Sequence, residues 1–279
     1  MTGSRIRKYK PPAEQDGRRM AEGTALVTGA SEGIGYELTR LFAENGYDVV
    51  MVARSKDRMK EIADEVENEF GISAQVIKKD LSVPGSSEEV YEKSPEIDVL
   101  VNNAGIGTCG FFHENDTERE VDTVRLNVET PTHLTRVFLE DMVERDEGRI
   151  LNVSSMAAFQ PGPTMAVYYA TKAYLLSFSE ALSNELKSTG VSVTALCPGP
   201  TETAFIQKAG EENSRINEGD KMSQRTVAEA GYNGLMKGKN VVVPGFKNRM
   251  LVRLTKIAPK SLVIRVVRYL QEPTSKSKT

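Results

Sequence analysis

The short run Thr24-Ala-Leu-Val-Thr28 leads into Gly29, further glycines follow at 33 and 35, and the chain continues as Tyr36-Glu-Leu-Thr-Arg-Leu-Phe-Ala43. Apolar periodicity changes there from that of a strand to that of a helix, so the glycines sit in a tight strand-to-helix turn. Glycine lets a backbone approach a ligand closely, and the free N–H groups at a helix start favour an anion such as a pyrophosphate. The spacing is wider than the general Gly-x-Gly-x-x-Gly pattern. Taken alone, a glycine-rich turn is also an ordinary way to join a strand to a helix.

Further strands are expected at Asp48-Val-Val-Met-Val-Ala53, Ala74-Gln-Val-Ile-Lys-Lys79, Ile97-Asp-Val-Leu-Val101, residues 149–154, Val191-Ser-Val-Thr-Ala-Leu196 and Asn240-Val-Val-Val-Pro244. Helical patterns fall between them, the last near Thr226 to Lys237. This alternation predicts an α/β fold: one doubly wound Rossmann-type parallel sheet of about seven strands with helices on both faces. The 279 residues could form one large domain or two small ones, and the absence of a linker or repeat favours a single unit over 21–245. Residues 1–20 are polar and basic with Pro11-Pro12 and read as a flexible leader; the last stretch, from Glu272, is expected to be loose as well. Residues about 200–225 are polar and suit a mobile substrate lid or a plain surface loop.

The segment 246–279 reads as a basic amphipathic extension. Seven basic residues and no acid lie between Phe246 and Gln271, and Leu262, Val263, Val266, Val267 and Leu270 have helical spacing. Pro259 should divide two helices. Such helices can cover the substrate cleft or a subunit interface, and they can also lie on an anionic membrane. Over the whole chain the balance is ordinary: 39 % hydrophobic, 27 % charged, net charge −3, which provides no positive field for nucleic acid. Two cysteines, Cys109 and Cys197, and two histidines, His113 and His133, give neither a disulfide framework nor metal-ligand spacing. No run of about eighteen apolar residues appears. A cytoplasmic protein is expected.

Tyr168 and Lys172 in Tyr-Tyr-Ala-Thr-Lys are four apart, about one helical turn, so phenol and ammonium share a face. A nearby cation favours the phenolate, which makes Tyr168 a candidate acid/base near neutral pH. Such a pair also occurs by chance in many chains, so its company matters. Thirteen residues upstream of Tyr168, Ser155 closes the strand-like Arg149-Ile-Leu-Asn-Val-Ser-Ser155, and Asn127 lies in a segment that reads as a helix. Successive strand side chains point to opposite faces, so only one of Ser154 and Ser155 can aim into a common site.

With these residues in order, the chain resembles the short-chain dehydrogenase/reductase family. The matching motifs are Thr28-Gly-Ala-Ser-Glu-Gly-Ile-Gly35, Asp80-Leu81, Asn102-Asn-Ala-Gly105, Asn127, Ser155, Tyr168 with Lys172, and Pro198-Gly199. The resemblance implies Asn127, Ser155, Tyr168 and Lys172 as catalytic residues, with Ser155 and Tyr168 preferred over Ser154 and Tyr169 by the thirteen-residue offset. It implies a nicotinamide cofactor held by Gly29, Ser31, Glu32, Gly33, Ile34 and Gly35 in the turn, with Asp80 against the adenine. Leu81, Asn103, Ala104 and Gly105 follow on the cofactor side together with Asn102. Pro198 and Gly199 lie beside the nicotinamide, with Thr201, and Thr203 reaches its carboxamide.

After the second strand this chain has Ala53-Arg54-Ser55 where an NAD-selective site would place an acid on the ribose. Arg54, with Ser55, can pair with a 2′-phosphate, so NADP(H) is favoured over NAD(H), although Arg54 also suits a solvated helix start. Glu32 departs from the pattern, since relatives selective for the phosphorylated cofactor often carry a base in that turn. The expected activity is reduction of a carbonyl, reversible to oxidation of an alcohol, by an enzyme that is a homodimer or homotetramer. Ile106, Phe111, Phe112, Phe159 and Phe205 suggest a lipophilic substrate. The rivals are a sugar-nucleotide epimerase or dehydratase, a dinucleotide-binding sensor with little turnover, and a peripheral membrane module.

Overall fold

A computed structural model describes residues 22–210 and 214–272, together with a small antiparallel ribbon pairing Glu14–Gln15 with Arg18–Arg19. The rest of the expected leader and the segment from 273 lie outside the described residues.

Seven parallel strands form one sheet. In chain order they are β1 (Thr24–Thr28), β2 (Asp48–Ala53), β3 (Ala74–Lys78), β4 (Val99–Asn102), β5 (Gly148–Val153), β6 (Val191–Leu196) and β7 (Val241–Val242). Their order across the sheet is β3-β2-β1-β4-β5-β6-β7, so the winding reverses between β1 and β4. That reversal opens a crevice at the carboxyl ends of the strands, where ligands of open α/β sheets bind. The central strands carry buried apolar runs, such as residues 25–27 and 99–101, because helices cover both faces.

The helices are α1 (Gly33–Glu44), α2 (Lys56–Phe70), α3 (Ser86–Lys93), α4 (Thr117–Val124), α5 (Thr130–Glu144), α6 (Ala166–Glu185), α7 (Ala204–Lys208) and α8 (Gln224–Met236). Two more close the described chain, α9 (Phe246–Ile257) and α10 (Lys260–Gln271). Phe42, Met51, Met59 and Ile62 pack one core, which α1, α2 and α8 cover. Leu100, Leu134, Met142 and Ile150 pack the other beneath α5.

Two local findings differ from the sequence expectations and one agrees. The last strand is two residues long rather than Asn240–Pro244, because it is an edge and Pro244 has no N–H to offer a ladder. Asn127 sits in a π-helical turn, Arg125–Glu129, wedged between α4 and α5, not in a regular helix. Pro259 does separate two helices, α9 ending at Ile257 and α10 starting at Lys260.

Candidate active site

The site is built where β1 and β4 diverge. Thr28 Oγ1 donates to Val101 O at 3.1 Å and accepts from the N–H groups of Asn103 and Ala104 at 2.9 and 3.0 Å, so one hydroxyl joins the two loops. Gly29 has φ +65° and a Cβ there would lie 2.9 Å from Asn103 Nδ2; one at Gly35 would lie 2.2 Å from Gly29 O. These are contacts no side chain tolerates, so the turn lies tight under the cleft. Glu32 precedes α1 without capping it; its carboxylate instead pairs with Lys208 of α7. The N-terminus of α1 is left without a side-chain cap, open to a ligand anion.

At one end of the cleft Arg54 is 69 % exposed and lies 4.0 Å from Asp80 Oδ2. Burial pushes the Asp80 carboxyl up, but hydrogen bonds from Ser82 and the charge of Arg54 outweigh it and hold the group below its ordinary range. Arg58, four residues beyond Arg54, lines the same cleft with its guanidinium over the Tyr36 ring at 5.6 Å. Sequence reading passed it over, although the spacing of four from Arg54 was the available signal.

At the other end, Ser154 and Ser155 leave β5 on opposite faces. Ser154 Oγ is buried and donates to Lys172 O at 2.8 Å, whereas Ser155 Oγ faces the cleft and accepts from Ala157 N at 3.1 Å. Tyr168 and Lys172 share a face of α6, with Lys172 Nζ 5.7 Å from the Tyr168 ring centre and donating to Val153 O at 2.9 Å. Burial lowers the Lys172 pKa from 10.5 to about 8, against a smaller upward effect of Cys197, which leaves it a cation at neutral pH. The Tyr169 hydroxyl accepts from Gln271 Nε2 of α10 at 2.7 Å.

Asn127 stands behind the cleft wall rather than in it. Its Oδ1 accepts from Ile106 N at 3.0 Å, and its Nδ2 donates to Ile106 O and to Thr171 Oγ1 at 2.8 and 3.1 Å, clamping the loop after β4 onto α6. A Cβ on Gly105 would come within 3.2 Å of Asn127 Oδ1 and 3.4 Å of Lys172 Nζ, so this glycine keeps the loop close to both. Asn102 is turned away, its Nδ2 donating to Asn152 Oδ1 and Thr135 Oγ1 inside the fold, which makes it a structural residue and not one on the cofactor side.

One cavity of about 1180 Å³ joins these parts. Every other catalytic and cofactor-binding candidate from the sequence lines it, with Gly35 and Asn127 behind the wall. Beyond Tyr168 the cavity continues into an apolar chamber walled by Leu251 and Leu254 of α9 and by Leu262, Val263, Val266 and Val267 of α10. Ile106 and Phe205 also line it, the Phe205 ring 5.1 Å from that of Tyr168. Phe111 and Phe112 do not: both are exposed, and Arg268 covers the Phe111 ring at 5.1 Å. Phe159 lies outside the lining too, with Lys256 above it. The expected lid is in part α7, with Ala209 buried and its carbonyl accepting from Cys109 N at 2.8 Å.

A doubly wound sheet with its cleft at the switch point, a glycine cradle at an uncapped helix start, and a serine, tyrosine and lysine at the far end define a dinucleotide-dependent oxidoreductase. A sequence model described as short chain dehydrogenase matches residues 23–214, and the chain belongs to that family. It is 35 % identical over 184 residues to a very-long-chain 3-oxoacyl-CoA reductase of Anas platyrhynchos, covering 62 % of this chain and 58 % of that protein. Among solved structures it is similar to a short-chain dehydrogenase from Sphingobium yanoikuyae in complex with NADPH, at 30 % identity and TM-score 0.78 over 86 % of this chain and 94 % of that one. A 3-ketoacyl-(acyl-carrier-protein) reductase from Brucella melitensis complexed with NADH is also 30 % identical, with TM-score 0.71 over 80 % and 96 %. The cradle and the open helix start fit the nicotinamide dinucleotide that the two solved structures hold.

Proposed function

We infer that the protein is an NADPH-dependent reductase of a lipophilic ketone, reversible to oxidation of the corresponding alcohol. The observation that carries this reading is the single cavity joining the glycine-rich turn, Ser155, Tyr168 and Lys172 to an apolar chamber. The bound cofactor supplies hydride to the carbonyl carbon. Tyr168 donates its proton to the carbonyl oxygen as negative charge grows there, and Ser155 donates a hydrogen bond to the same oxygen. Lys172, held by Val153 O, keeps a positive charge beside Tyr168, lowers the phenol pKa and holds the nicotinamide ribose. Asn127 positions the water that links Lys172 to solvent.

Arg54 and Arg58 at the adenosine end support a preference for the 2′-phosphate. Glu32 would oppose it, but its ion pair with Lys208 offsets that charge. The chamber's apolar wall supports a ketone with an extended hydrocarbon body, and two of the named relatives are 3-oxoacyl-CoA and 3-ketoacyl-(acyl-carrier-protein) reductases by name. A cytoplasmic homodimer or homotetramer is the assembly this reading carries.

The test is cofactor oxidation at 340 nm with NADPH and NADH across diketones, acyl thioesters and steroid ketones. Tyr168→Phe should keep cofactor binding while turnover falls about 10²- to 10⁴-fold, the scale of a lost general acid. Retained turnover would remove Tyr168 from the mechanism. Tight binding with no turnover on any substrate would turn the reading toward a sensor.

A further inference from the structure

The cavity reaches the surface through α9 and α10, and its lip is apolar. Leu251, Leu254, Leu262 and Val266 all line the cavity, yet are 45 % to 54 % exposed. Water-facing hydrocarbon at the entrance to a site is costly unless something apolar meets it. On α9 the apolar surface continues outward. Phe246, Met250 and Ile257 recur at helical spacing on the side away from the buried Val252, and Phe246 and Ile257 are 71 % and 80 % exposed.

Cations frame this patch. Lys247, Arg249, Arg253, Lys256, Lys260, Arg265 and Arg268 lie on the two helices with no acid among them, on a chain whose net charge is −3. Of the seven, only Arg268 meets a carboxylate among the described residues, Glu272 at 3.4 Å. Arg249 and Arg253 fall one helical step from the Phe246, Met250 and Ile257 stripe. A second copy of the chain on the same patch would bring the two sets of cations together by symmetry, which like-charge repulsion opposes. An anionic lipid surface complements both charge and hydrocarbon. Neither 12-residue helix is long enough to span a bilayer, and no described helix is both long and apolar enough to do so.

We propose that α9 and the outer edge of α10 dock the protein on an anionic bilayer with the cavity mouth turned toward the lipid, so that substrate enters from the hydrocarbon side. The entry route rests on the lipophilic-ketone reading; the docking does not. The docking is measured first without turnover, by co-sedimentation of the full chain with vesicles of phosphatidylcholine alone or mixed equally with phosphatidylglycerol. Binding should need the anionic lipid and weaken as salt rises. Phe246→Ser with Met250→Ser and Ile257→Ser, and separately Arg249→Gln with Arg253→Gln, should each lower the partition coefficient at least about tenfold.

These side chains lie outside the cavity lining, so the variants should keep their melting temperature, NADPH binding and turnover of a water-soluble ketone. No sedimentation with either vesicle, or sedimentation unchanged in both variants, would overturn the docking. So would a triple-serine variant that leaves vesicle binding alone but converts a dimer to a monomer in light scattering, since the patch would then be a subunit contact. Failure of turnover on every ketone with vesicle binding intact would remove the substrate route and leave the docking.

Discussion

Lys172 offers a sharp test because the structure makes it costly. Its ammonium is buried, and desolvation brings its pKa from 10.5 to about 8. At about 1.4 kcal/mol per pKa unit, that displacement makes folding about 3 kcal/mol less favourable than with a neutral side chain there. The sign follows from proton counting. Below pH 8 both folded and unfolded chains hold the proton and the full penalty applies. Between about 8 and 10.5 the unfolded chain binds more protons than the folded one, so stability rises with pH and the penalty fades. Lys172→Met removes it while leaving Val153 O without its donor, a loss of about 1 kcal/mol. The variant should therefore be about 2 kcal/mol more stable than the parent at pH 7 and no more stable at pH 10, while losing reductase activity. Urea unfolding followed by circular dichroism at the two pH values, without cofactor, measures the difference directly. A variant no more stable at pH 7, or one whose advantage is the same at pH 10, would show that the lysine is not desolvated in this way.

Two further outcomes test the ends of the cavity. Arg54→Asp should raise KM for NADPH at least about tenfold and leave or lower that for NADH, because the new carboxylate repels a 2′-phosphate and can pair with a 2′-hydroxyl; an unchanged ratio of kcat/KM for the two cofactors would exclude Arg54 from selectivity. Gln271→Ala deletes the buried bond to the Tyr169 hydroxyl, should cost about 1–2 kcal/mol and lower the melting temperature by several degrees. Because that bond anchors α10 over the chamber, KM for a lipophilic ketone should rise more than kcat falls, and equal KM values in parent and variant would refute the anchoring role.

Much of the fold was legible because a parallel sheet buried on both faces writes long apolar runs, and β1, β2 and β6 begin and end where those runs do. The edge was less so: Asn240–Pro244 carries the same composition, but with one neighbour and a proline only Val241 and Val242 enter the ladder. At the candidate site, alternation along an extended chain is a local property and lets only one of Ser154 and Ser155 face the cleft, while the choice of Ser155 comes from the family resemblance and its thirteen-residue offset. Asn127 and Asn102 were less readable because their side chains are spent on contacts 21 to 50 residues away. Nothing near either residue in sequence announces Ile106, Thr171 or Asn152 as its partner.

The C-terminal helices show most clearly where local pattern stops. The spacing of Leu262, Val263, Val266, Val267 and Leu270 defines one apolar face of α10, but that face would suit the protein's own cleft, a neighbouring subunit or a membrane equally well. The choice is made by contacts the pattern does not contain. Gln271 reaches Tyr169 across 102 residues, and Arg215 donates to Tyr269 O at 3.0 Å with its guanidinium over the Tyr269 ring. Those anchors turn Val263 and Val267 into the chamber and leave Leu262 and Val266 half in water. The helix is thus held to the protein at its end and open along one side, and the apolar lip follows from that geometry rather than from an excess of hydrophobic residues.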